Sequence, residues 1–119
     1  MNRLERKRVR RVRRRMHIRK TVRGTPQRPR LTVFKSSRFL YAQVIDDTAG
    51  RTLASVSNLE KDLRSLKSNA AGALSLGQAL GARLKEKKIE KVVFDRNGYP
   101  YHGLVKSIAE GARKAGIQF

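Results

Sequence analysis

The residues with the most chemistry in them stand at the front of the chain. Arg3, Arg6, Lys7, Arg8, Arg10, Arg11, Arg13, Arg14, Arg15, Arg19 and Lys20 follow one another closely, with His17 among them and Arg23 just beyond. Arginine dominates this set. Its planar fork contacts phosphate through two parallel hydrogen bonds and stacks on bases, which a point-charge ammonium does less well. The first thirty residues hold fourteen of the chain's 29 Lys and Arg against one acid, Glu5. So much like charge must be neutralised by a polyanion or left spread out in solvent. A solvated tail, a localisation signal or a device against aggregation is the plain alternative. The density and the Arg bias favour nucleic acid, and RNA over DNA, because Arg-rich segments that fold on binding are a common RNA device.

Two further clusters carry the same chemistry. Lys35-Ser36-Ser37-Arg38, approached through Arg28 and Arg30, sets two hydroxyls between two bases at a strand corner. These groups can donate to phosphate or ribose, and an ordinary polar turn is an equal alternative. The segment DRNGYPYHG, 95–103, follows a short apolar strand and precedes a helix. That is the ligand edge of an open α/β sheet, where helix N–H groups attract phosphate. Arg96, Asn97, Tyr99, Tyr101 and His102 add a charge, an amide and rings able to stack on bases or bond a 2′-OH. Tyr41, on one face of a predicted strand, completes the candidate set. The alternative for 95–103 is a structural turn with partly buried tyrosines.

Catalysis has little support. The chain has nine acids; the adjacent pair Asp46-Asp47 reads as turn residues and Asp95 has no evident companion. A metal-dependent nuclease needs several carboxylates converging on its cations. His17 lies in the arm, His102 has no triad partner, and there is no Gly-rich nucleotide loop. The expectation is a non-enzyme with no metal, no cofactor and no small-molecule substrate. Three rival readings exist: a nuclease, a general DNA-compacting protein, and a membrane-associated protein. The last is weak, because the arm's apolar stripe has no Trp or Phe anchor.

The elements that must position these residues follow from pattern and punctuation. At 119 residues and net charge +20, the chain divides into a basic arm (1–23, disordered or helical), a Pro/Gly linker (24–30) and a globular α/β domain (31–119). The domain's fifteen bases and eight acids leave it at +7. Absence of cysteine rules out disulfides and fits a reducing compartment. No apolar run approaches the roughly 20 residues of a membrane helix, and the N-terminus lacks the apolar core of a signal peptide. Val9, Val12 and Met16, with Leu4, mark a narrow apolar stripe on the arm, which Arg–Arg repulsion keeps frayed until phosphates neutralise it. Strands are predicted at 30–35, 39–45 and 51–57, joined by hairpin-length corners, the last alternating less cleanly. A short helical turn lies within 58–67. Asn69 caps a helix to about Lys87, with Ala73, Leu76, Leu80 and Leu84 inward. Gly72, Gly77 and Gly81 weaken it by roughly 1 kcal/mol each relative to Ala, compensated by close packing onto the sheet. A strand at 91–95, covered on both faces, and a helix from about Tyr101 to Lys114 follow, with Gly116 at its C′ position. The order β-β-β-α-β-α implies a mixed sheet with a parallel return.

The stretches GTPQRPRLTVFKSSRFLYAQVIDD, RTLASVS and KVVFDRNGYPYHGLVKSIAEGARKAGIQF closely resemble the bacterial large-subunit ribosomal protein eighteen family, collinearly from the arm to Phe119. Residues 59–68 are the least diagnostic part. Where members commonly carry a second glycine after FDR, this chain has Asn97, which can also adopt a left-handed backbone. The resemblance implies a layered α/β fold with a mixed sheet, similar to a ribonuclease-H-like core without its acidic site. It implies a structural role in the large ribosomal subunit, in the cytoplasm. The expected partners are 5S rRNA and 23S rRNA at the central protuberance, beside other 5S-binding proteins. Family RNA contacts would map to the arm, to 28–38 and to 96–102.

Overall fold

The computed structural model describes residues 2–119, without the side chains of 18–21. A helix, α1 (Arg3–Thr21), precedes three strands, β1 (Arg30–Lys35), β2 (Leu40–Asp46) and β3 (Arg51–Ser57). After a single 3-10 turn at Lys61–Leu63 come α2 (Ala70–Glu86), β4 (Val93–Asp95) and α3 (Leu104–Lys114). The four-stranded sheet has the order β3-β2-β1-β4, with β1 antiparallel to β2 and parallel to β4. The crossover through α2 therefore returns β4 parallel to β1, as the element order requires.

Alternation decides which face is the core. Leu40, Ala42 and Val44 of β2 lie opposite Lys35, Val33 and Leu31 on one side and pair with Val56 and Ala54 on the other. Except for Lys35, these side chains are buried and meet the inward stripe of α2, Ala73, Leu76, Leu80 and Leu84. Helix α2 packs on β3 and β2, and α3 on β1, so both helices cover the same face. The weak alternation of β3 has a local cause. Val44 pairs with Ala54 but Ile45 pairs with Thr52, so Leu53 is an extra residue in a bulge.

Three expectations change. The small residues of α2 serve mainly helix–helix packing, and not packing on the sheet. A Cβ on Gly77 would lie 2.1 Å from Ile108 O, and one on Gly111 2.1 Å from Leu74 O, so the backbones of α2 and α3 touch through these gaps. Helix α3 begins at Leu104, because Gly103 at its N-cap takes φ +61° and the preceding Tyr101–His102 pair stays in the turn. Strand β4 is three residues long on the sheet edge, with Val93 and Phe94 half-buried, so it is not covered on both faces. The predicted caps hold: Asn69 Oδ1 accepts from Gly72 N at 2.8 Å, and Gly116 takes φ +98° after α3.

Candidate nucleic-acid interface

The arm is helical from its first turn, and its single acid explains why it starts where it does. Asn2 Oδ1 accepts from Glu5 N at 2.8 Å, while Glu5 reaches back to the Asn2 backbone N–H. This reciprocal pair is a capping box, with a carboxylate at the positive end of the helix dipole.

The helix docks by a face that hydropathy does not mark. Leu4, Val12 and Met16 of the apolar stripe remain 66%, 41% and 61% exposed. Arg11, Arg14 and Arg15, at i, i+3 and i+4, instead meet the loop after β4. The Arg11 guanidinium lies 4.0 Å from the centroid of the Tyr99 ring, and Arg14 Nε donates to Gly98 O at 3.1 Å. Gly98 permits the approach: a Cβ there would stand 2.6 Å from Arg11 O, and its φ is +77°. Asn97 before it takes φ +54°, so the left-handed turn survives the departure from a second glycine. Lys35 adds its ammonium 5.4 Å from the Tyr99 centroid. Between helix and loop lies a cleft of about 490 Å³ walled by Lys7, Arg8, Arg11, Arg14, Lys35 and His102, with Leu4, Tyr99 and Pro100 as its apolar lining. Among the described residues, no carboxylate lines it. A cleft with walls of one sign concentrates counter-charge, so this one attracts anions.

Two candidates drop out of this surface for physical reasons. Arg30 is 8% exposed, with Nε and Nη2 on Asp47 at 2.9 and 3.0 Å and Nη1 on Asp95 at 2.7 Å. Asp46 is the turn residue, accepting from Thr48 N, but Asp47 is a structural anion that also accepts from Gly24 N at 2.7 Å. These bonds hold the Asp47 carboxyl below the usual carboxylate range, the hydrogen bond from Arg30 being the largest cause, and raise the Arg30 pKa through the same contact. Gly24 is itself buried, and Pro29 O accepts from Val93 N at 2.9 Å, so 24–30 is stitched to the domain and is no free linker. Asn97 is fully buried, its Nδ2 donating to Val33 O at 3.1 Å and its N–H to Asp95 Oδ1 at 2.8 Å.

Arg3, Arg6, Arg8, Arg10, Arg13 and His17 are exposed along the helix, and Arg11 and Arg15 are half-buried. Arg19 and Lys20 fall among the side chains outside the described residues. Arg23, Arg28, Ser37 and Arg38 are exposed. Ser36 closes its own corner, its Oγ accepting from Phe39 N at 3.0 Å. Tyr41 is half-buried against Phe34, with ring centroids 5.8 Å apart. Arg96 folds back to Tyr99 O at 3.0 Å. Tyr101 turns away from the arm, edge-on to Phe94 and 5.7 Å from it. The loop thus presents Tyr99 and His102 to the arm and Tyr101 to the C-terminal side.

Sequence reasoning missed the docking of the arm onto this loop. The signal was present as cations at 7, 8, 11, 14 and 15, which share a helix face, and an Asn-Gly-Tyr turn able to receive them. Among the described residues, no three His, Asp or Glu side chains converge in a metal-like cluster, and no helix is long and apolar enough to cross a membrane.

A small α/β domain with a polybasic helix laid along its ligand edge is built as a component of a ribonucleoprotein. Comparison with known proteins makes this specific. Residues 5–119 match the family model for ribosomal L18 of archaea, bacteria, mitochondria and chloroplast. The chain is 58% identical to large ribosomal subunit protein uL18 of Treponema denticola over 109 residues, 92% of this chain and 91% of that one. It is 56% identical to the Treponema pallidum uL18 over 113 residues (95% and 94%), and 52% identical to that of Thermotoga petrophila over 118 (97% of each). The chain belongs to the ribosomal L18 family. It is a structural, non-enzymatic protein of the large ribosomal subunit.

Proposed function

We propose that the chain binds 5S rRNA and helps fix it to 23S rRNA in the central protuberance, beside other 5S-binding large-subunit proteins. The cation-walled cleft between α1 and the 96–102 loop carries this reading: five Lys and Arg side chains surround a tyrosine and a histidine with no acid among them. The RNA contacts are assigned to the exposed cations of the arm, to Arg28, Lys35, Ser37 and Arg38, and to Tyr99 and His102. Phosphate contacts supply affinity and register, and a few base or ribose contacts supply selectivity. The rRNA also relieves the repulsion along α1, so the bound arm is more firmly helical than the free one.

Competition tests the choice of RNA. With labelled 5S rRNA bound to the full chain, unlabelled 5S rRNA should displace it at near-equal concentration and duplex DNA only in large excess. Equal displacement by both would reduce the protein to a general polyanion binder and contradict the proposal.

A further inference from the structure

A second groove, of about 570 Å³, lies between the β1–β2 corner and the segment that includes the Lys61–Leu63 turn. Its walls are held together by a buried asparagine. Asn58, 8% exposed, accepts from Leu40 N at 3.0 Å through Oδ1. Its Nδ2 donates to Arg38 O at 3.1 Å and to Leu66 O at 3.2 Å. Ser68 Oγ adds a bond across the gap to Ser36 O at 2.9 Å. The corner and the 59–68 segment therefore stand at a fixed separation, and the groove is formed before anything enters it.

What lines the groove is an unusual mixture. Phe39 and Leu59 are 47% and 57% exposed, and beside them stand Arg38, Arg64 and Lys67. Among the described residues these three cations have no carboxylate partner and no side-chain hydrogen bond. Within the same limits no ring or cation lies over Phe39. This segment holds two acids, Glu60, paired to Arg83 at 2.9 Å, and Asp62, and among the described residues neither lines the groove.

We propose that this groove takes an unpaired nucleotide of ribosomal RNA. Its base lies on the Phe39 ring against Leu59, its phosphate sits among Arg38, Arg64 and Lys67, and Ser37 supplies a hydroxyl for the ribose, with Ser68 Oγ, its proton held by Ser36 O, left to accept only. Cations alone would suit any polyanion. An uncovered ring set among three unanswered cations suits the polyanion whose every unit carries a flat π-face and a charge. A paired duplex offers the charge and hides the face. An acidic peptide meets the cations and leaves Phe39 in water. The inference rests on the reading that this chain works on ribosomal RNA, and deepens it at the corner that already supplies Ser37 and Arg38, by adding Phe39 and the 59–68 segment.

The test uses the full chain in assembled large subunits, with Phe39→p-benzoylphenylalanine as a photocrosslinker. Irradiation should join position 39 to one unpaired nucleotide. A fragment of rRNA spanning that nucleotide should then bind Phe39→Ala about 5- to 150-fold more weakly, as expected for loss of one stacked base. Phe39→Tyr should restore the affinity. Arg64→Ala with Lys67→Ala should lower the slope of log affinity against log salt by up to about 0.7, the share of one single-strand phosphate, which Phe39→Ala should leave alone. Crosslinks confined to a ribosomal protein or to paired RNA would overturn the proposal, as would unchanged affinity in Phe39→Ala. Failure of the 5S reading would look different, since it would appear as equal displacement of bound 5S rRNA by duplex DNA and by 5S rRNA, with or without Phe39.

Discussion

Arg30 and the arginines of α1 differ in what answers their charge. Arg30 sits at 8% exposure between two carboxylates, with three hydrogen bonds of 3.0 Å or less. Along α1, Arg3, Arg6, Arg8, Arg10 and Arg13 are exposed, and the helix's own acid, Glu5, is engaged in capping. Arg11 and Arg14 meet a ring face and a carbonyl, which orient them without neutralising them. One side-chain type thus builds the domain where anions surround it and equips an interface where none do. The lesson is to ask of each arginine which anion it has, and to treat those with none as pointing outside the molecule.

Removing residues 2–23 should have the largest effect on this contrast. The truncated chain keeps Gly24, Arg30, Asp47 and Asp95, so circular dichroism should retain an α/β signal. Affinity for 5S rRNA should fall by about 10³-fold or more, the scale of losing several phosphate contacts. Loss of the folded signal would show that α1 belongs to the core and that the two populations of arginine are one.

Arg30→Ala should act in the opposite sense. It leaves Asp95 buried and Asp47 without its main partner, so the domain should lose about 3–5 kcal/mol in denaturant unfolding. The RNA affinity of the molecules that stay folded should be unchanged. An affinity loss with normal stability would place Arg30 on the interface after all.

How much of this was legible in the sequence depended on the kind of signal. Alternation in 40–44 and the 3.6-residue stripe through Leu76, Leu80 and Leu84 are dictated by burial, and they fixed the core. The Asn69 cap and the Gly116 stop are local backbone chemistry, readable without tertiary knowledge. The Arg30–Asp47–Asp95 triad was not readable, because its members are brought together by β1–β4 pairing and by the return of the chain after β2. Charge in sequence does not say which cation will be buried. The arm's docking face was missed for a related reason: it is made of arginines, and a search for apolar periodicity looks past them.

Acid offers a smaller probe of the same division. The depressed pKa values of Asp47 and Glu60 mean that their ionised forms stabilise the fold. That contribution is complete above about pH 5 and is lost as pH falls through the carboxylate range near 4 and below. The melting temperature of the full chain should therefore decline on acidification, and Asp47→Asn should start lower and decline less. An unchanged acid profile in Asp47→Asn would mean that the Arg30 pairing contributes nothing to folding.

The central claim, that the unanswered guanidiniums of α1 are met by phosphates, is tested most directly by the salt dependence of 5S rRNA binding. If six to ten phosphates are engaged, affinity should drop roughly 10³- to 10⁵-fold between 50 and 200 mM monovalent salt. A log–log plot with a slope near zero over that range would contradict the account.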